Sequence, residues 1–75
     1  MFEEVRNQIA ELLGIEASAI TESSDLITDL KADSMDIATL LLEVEENYGI
    51  EIDEDEMEGL KTVGDIVKYI ESKKN

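Results

Sequence analysis

Apolar residues return at helical spacing in three stretches of this chain, and no stretch alternates as a half-buried strand would. A chain of 75 residues buries only about 60% of the surface its unfolded form exposes, so these stretches must share one modest core. The expected fold is all-α: a small four-helix bundle of three main helices and one short one, with a long loop between the first two. Residues 1–75 read as one domain, with no repeat, low-complexity tract or linker.

Phe2, Val5, Ile9, Leu12 and Leu13 lie on one face of a first helix running from Phe2 to Leu13, with Gly14 suited to the left-handed position that ends it. The connection from Gly14 to about Asp33 carries Ile15, Ile20, Leu26, Ile27 and Leu30 without a sustained period. Connections of this length pack their own apolar side chains or carry function. This one is expected to pack across the bundle, with a short helical turn near Leu26. A second helix runs from about Ser34 to Tyr48 and stops at Gly49, with Ile37, Leu40, Leu41, Val44 and Tyr48 inward. Asp53 to Gly59 has room for one or two helical turns, with Met57 and Leu60 inward. The last helix follows Thr62, an N-cap residue with Asp65 three positions on, and carries Val63, Ile66, Val67 and Ile70 on one face. Lys68, Lys73 and Lys74 fall late in it, where the helix dipole favours cations.

The absence of cysteine and histidine removes disulfides, thiolate and imidazole metal sites, and histidine-based acid–base catalysis. The start of the chain has no basic segment followed by an apolar run, and no apolar run approaches bilayer length. A cytoplasmic protein is the default expectation. The net charge of −14 makes nucleic acid and anionic membranes poor partners and basic protein surfaces good ones. No basic residue stands between Lys31 and Lys61, where acidic residues crowd. The acidic run from Asp53 lacks the glycine and oxygen-ligand spacing of an EF-hand, so no metal site is expected. A charge run of this kind is either a solvated face or a docking surface.

Projecting the second helix at about 100° per residue separates two apolar faces. Opposite the core face lie Met35 and Leu42, with Ala38 beside them and Thr39, Glu43, Glu45 and Glu46 around them. Either the long connection covers this strip, or it is a docking strip in which apolar contact supplies affinity and carboxylates orient a basic partner.

Asp33-Ser34-Met35 stands at the start of this helix. A serine there is ordinarily a cap, although the exposed hydroxyl and the helix dipole also suit a phosphate. Leu30-Lys31-Ala32-Asp33-Ser34-Met35-Asp36 resembles the modification motif of acyl carrier proteins. Glu43 to Ile52 resembles that family's acidic end of the second helix and the approach to the third, and Thr62 to Ile70 resembles its last helix. The resemblance spans nearly the whole chain. It implies a 4′-phosphopantetheine arm moved from coenzyme A to Ser34 by a phosphopantetheinyl transferase. The arm's thiol would carry acyl groups as thioesters, in fatty acid biosynthesis or a related acyl or polyketide pathway. The borrowed thiol accounts for a chain without cysteine, and the protein itself would have no catalytic residue. The resemblance further implies that Asp33, Met35, Asp36, Ala38, Leu42, Glu45 and Glu46 meet basic patches on the transferase and on acyl-handling enzymes. Leu40, Val44, Ile52 and Leu60 would line a shelter for the acyl chain, and the carrier would act as a monomer.

Lys31, Thr39 and Asp53 depart from the family pattern, standing where glycine, a carboxylate and proline are common. They leave the attachment chemistry intact and bear on partner choice. Two other readings fit the residues: a carrier of amino acids or peptides, and an unmodified acidic adaptor.

Overall fold

The computed structural model describes residues 1–74, Lys74 without its side chain. The elements follow the order α1 (Phe2–Leu13), a 3-10 turn (Ala17–Ala19), α2 (Ser34–Tyr48), α3 (Glu54–Met57) and α4 (Val63–Lys74). The expected boundaries of α1 and α2 hold, and both helices end on a glycine in the left-handed region, Gly14 (φ 68°) and Gly49 (φ 64°). α1 packs on both α2 and α4. Val5 and Ile9 meet Leu40, Leu41 and Val44 of α2 and Val63, Ile66 and Ile70 of α4 in a single buried cluster.

The connection between α1 and α2 packs as its apolar residues suggest, with one exception. Ile20, Leu26 and Leu30 are buried, whereas Ile27 is 59% exposed. Its 3-10 turn lies at Ala17–Ala19, earlier than expected. At the expected place, the Asp25 carbonyl accepts from the N–H groups of Asp29 and Leu30, closing an isolated turn around Leu26. Ser24, the one buried polar residue of the described core, accepts from the Thr21 N–H through its hydroxyl at 3.0 Å.

Backbone bonds then stitch the connection to the start of α4. Leu26 N–H donates to the Lys61 carbonyl (2.9 Å), Val63 N–H to Ser24 (3.1 Å) and Gly64 N–H to Glu22 (2.8 Å). The first N–H groups of a helix have no partner within it. In α4 the connection supplies acceptors for two of them, and Thr62 Oγ1 accepts from a third, the Asp65 N–H at 3.1 Å. Asp65 Oδ2 accepts in return from the Thr62 N–H, so the capping box read from Thr62 and Asp65 is formed.

α3 is a single turn held mainly by its surroundings. Leu60 is buried and Met57 half-buried against the core. Ile52 N–H donates to Glu45 Oε2 at 2.8 Å, and the Tyr69 hydroxyl donates to the Glu51 carbonyl at 3.2 Å. Partial burial, and next the Glu56 carboxylate, push the Tyr69 phenol up to about 12. Tyr48, whose hydroxyl donates to Glu4 Oε2 of α1, is raised from its ordinary value by burial first and then by Glu4.

Two outcomes follow from this packing. A Cβ at Gly64 would lie 2.9 Å from the Glu22 carbonyl oxygen, so Gly64→Ala must break or stretch the stitch. Urea denaturation should show a loss of about 1–3 kcal/mol, the range for forcing a methyl into packed space. The second concerns alkaline pH. The fold favours the neutral phenol of Tyr69, so that contribution is whole below pH 10.0 and is lost as pH rises towards 12. Melting temperatures across this window should fall less steeply for Tyr69→Phe than for the parent; equal slopes would remove Tyr69 from the account.

Candidate functional site

The N-terminus of α2 is fixed by two aspartates. Asp33 is the N-cap in extended conformation; its Oδ1 accepts from the Asp36 N–H at 2.8 Å, and Asp36 Oδ2 accepts from the Asp33 N–H at 3.3 Å. Ser34 is therefore the first helical residue and not the cap. Its side chain is exposed and its hydroxyl stands outside the capping box. The Asp-x-x-Asp spacing that makes this box is the same signal as Thr62 and Asp65, and it identifies the cap without the structure.

Upstream, Lys31 has φ 62°, and among the described residues no other non-glycine residue has positive φ. The glycine common at this position in acyl carrier proteins thus has a physical reason: the chain turns through the left-handed region just before Ser34. A residue with a Cβ is strained there by roughly 1–2 kcal/mol. Lys31 itself is exposed.

A cleft of about 530 Å³ opens beside Ser34. Leu26 and Ile27 of the connection form one side, Ser34 and Ile37 of α2 another, and Met57, Leu60 and Lys61 the third. Of the four residues expected to line an acyl shelter, only Leu60 lies on this cleft. Leu40, Val44 and Ile52 are buried in the core, at 2%, 0% and 6% exposure. Leu26, Ile27, Ile37 and Met57 line the cleft with it, because the bend at Lys31 and the stitch to α4 lay the connection alongside Ser34. No sequence spacing carries that information. Leu26 and Ile37 also pack with Ile9, Ala32 and Leu40 around a gap too small for water, so they touch both cleft and core.

The second apolar face of α2 is uncovered. Met35 and Leu42 are 77% and 58% exposed, and Ala38 is exposed between them, so the connection does not pack over this strip. Glu46 and Thr39 are exposed beside it. Three of the acidic residues expected there have internal duties. Asp33 and Asp36 hold the cap, and Glu45 is half-buried with its Oε2 on the Ile52 N–H. Among the described residues no three carboxylates converge to hold a metal ion, and no helix is long and apolar enough to cross a membrane.

The chain is similar to known proteins. The family described as "Phosphopantetheine attachment site" matches residues 3–70. The chain is 44% identical over 73 residues to the acyl carrier protein of Thermotoga maritima, covering 97% of this chain and 90% of that one. The chain belongs to the acyl carrier protein family. The acyl carrier protein of Helicobacter pylori is 40% identical over 74 residues, covering 99% of this chain and 95% of its own. A solved structure of the acyl carrier protein from Enterococcus faecalis matches with a TM-score of 0.76 at 35% identity, over 97% of this chain and 98% of that one. The cofactor of the family is phosphopantetheine, and the residues here suit it. The first residue of a 15-residue helix offers an exposed hydroxyl not committed to the cap, beside a cleft with apolar walls.

Replacing Lys31 by glycine should relieve the backbone strain while leaving Ser34 and its cap in place. Chemical denaturation of Lys31→Gly should give a stability gain of up to about 1 kcal/mol, the strain less the extra flexibility of glycine in the unfolded chain. A loss would show that the lysine side chain makes a compensating contact.

Proposed function

We propose that this acyl carrier protein carries its 4′-phosphopantetheine arm on Ser34 and presents acyl thioesters to the enzymes of fatty acid synthesis or a related acyl pathway. The observation that supports Ser34 most is the capping arrangement. Asp33 and Asp36 satisfy the helix terminus between themselves, so the serine hydroxyl is left exposed and oriented at the first turn of a fixed helix. In the modification step Ser34 Oγ forms a bond to the phosphorus that bears the pantetheine. The pyrophosphate P–O bond of coenzyme A breaks, adenosine bisphosphate leaves, and the transferase takes the hydroxyl proton. The bound cofactor supplies the thiol on which cargo is carried. This chain supplies attachment, presentation and shelter.

The exposed strip of Met35, Ala38 and Leu42 is the face we assign to partners, with Glu46 and the outer oxygens of Asp33 and Asp36 steering their basic patches. The charge of −14 makes such encounters fast at low salt and weaker as salt rises. Residues 1–75 act in this reading as one monomeric, cytoplasmic carrier domain without catalytic activity of its own. The cleft beside Ser34 gives the acyl chain a place out of water between Ile27, Ile37, Met57 and Leu60.

The decisive experiment incubates the protein with coenzyme A and a broad-specificity phosphopantetheinyl transferase, then measures intact mass. One phosphopantetheine should be added to the parent and none to Ser34→Ala. A parent that gains no mass, or a Ser34→Ala variant that gains as much as the parent, rules out the assignment.

A further inference from the structure

Lys61 is the cation among the residues that line the cleft beside Ser34. Its main chain is held on both sides: the Lys61 carbonyl accepts from the Leu26 N–H at 2.9 Å, and the Lys61 N–H donates to Asp65 Oδ2 at 3.2 Å. The stem of the side chain therefore starts from a fixed point on the cleft wall. The acidic residue facing it from the connection is Asp25, which spends Oδ1 on the N–H groups of Ile27 and Thr28 at 2.9 and 3.0 Å. Those backbone bonds are the main reason the Asp25 carboxyl lies below its ordinary range, with Lys61 the least of the causes. Lys61 is exposed, its attraction to Asp25 is weak beside those backbone bonds, and Glu58 is the other carboxylate on the cleft.

A phosphodiester on Ser34 adds an anion to a chain of net charge −14, with Asp33 and Asp36 on either side of it. The Asp36 N–H at this helix terminus is already taken by Asp33. On the cleft side, the cation that can offset the new charge is Lys61. We infer that Lys61 is the positioning residue for the arm: its ammonium attracts the phosphodiester across the cleft mouth and draws the arm down between Ile27 and Met57 instead of out into solvent. This deepens the carrier reading and rests on attachment at Ser34.

The test compares amide chemical shifts of the unmodified and modified proteins for the parent, Lys61→Gln and Lys61→Arg. Intact mass is read first on each. The Lys61 side chain is exposed and its backbone bonds survive either substitution, so all three fold. In the parent, modification should shift the amides of Ile27, Met57 and Leu60 on the cleft. In Lys61→Gln those shifts should fall by half or more, and Lys61→Arg should restore them. Raising salt from about 0.05 to about 0.5 M should erase the parent's advantage over Lys61→Gln, because screening shortens the reach of one charge to a few ångströms. Equal cleft shifts in the parent and Lys61→Gln, with the full mass gain in both, overturn this inference and leave the carrier reading standing. Absence of the mass gain in the parent overturns both.

Discussion

The seam between the long connection and the start of α4 holds the rest of the structure in place. Leu26, Ser24 and Glu22 exchange backbone bonds with Lys61, Val63 and Gly64. Those bonds give the leading N–H groups of α4 the acceptors that a helix terminus otherwise seeks from water or a side chain. The same bonds bring Leu26 into the core and leave Ile27 at the surface, which creates the cleft wall facing Ser34. A twenty-residue connection whose one regular element is a 3-10 turn would otherwise lose more entropy than its few buried side chains return. Here each backbone bond serves two elements at once.

Charge sets the second constraint. A net charge of −14 opposes compaction, and the core that offsets it is small. The structure gives several carboxylates internal acceptor duties. Asp33 and Asp36 close one helix, Asp65 closes another, Glu45 holds the approach to α3 and Asp25 closes its own turn. Each of these oxygens meets N–H donors, and hydrogen bonds to a charged acceptor are stronger than those between neutral groups. The acidic surface is thus partly a device for ending helices and turning the chain, and only the remainder is there solely for solvent and partners. For the strip on α2 that we propose as a docking face, apolar contact with Met35 and Leu42 gains weight relative to charge.

The helices were legible because their signals are local. Phe2 to Leu13 and Ser34 to Tyr48 follow from apolar period and terminal glycine, and Thr62 with Asp65 announces α4. The carrier family was legible too, from three short blocks in order around Ser34. The Asp33–Asp36 box was equally local. Reading the serine as a cap concealed it, although the aspartates show the spacing seen at Thr62. The cleft lining was not legible. Leu40 and Val44 belong to an inward stripe, but inward in a small bundle means the shared core, whereas the space beside Ser34 is bounded by Met57 of the short α3 and by Ile27, which follows no helical stripe. The internal use of Glu45 was equally hidden, since its partner Ile52 lies beyond the end of the helix.

The helix that begins at Ser34 and the cap before it are properties of a few neighbouring residues, and the sequence alone determines them because capping and periodicity act over one or two turns, whereas the attachment we propose at Ser34 rests on the family motif around it. The left-handed bend at Lys31 is also a local demand, visible in the sequence as a lysine where the family favours glycine, but its meaning depends on a backbone angle. What the tertiary structure alone decides is the neighbourhood of the serine: which apolar residues share its cleft, that Met35 and Leu42 stay uncovered, and that Lys61 lines the same cleft. Those relations join segments separated by tens of residues. They exist only because the connection is stitched to α4, an interaction of backbone groups that every sequence carries and that no side-chain pattern announces.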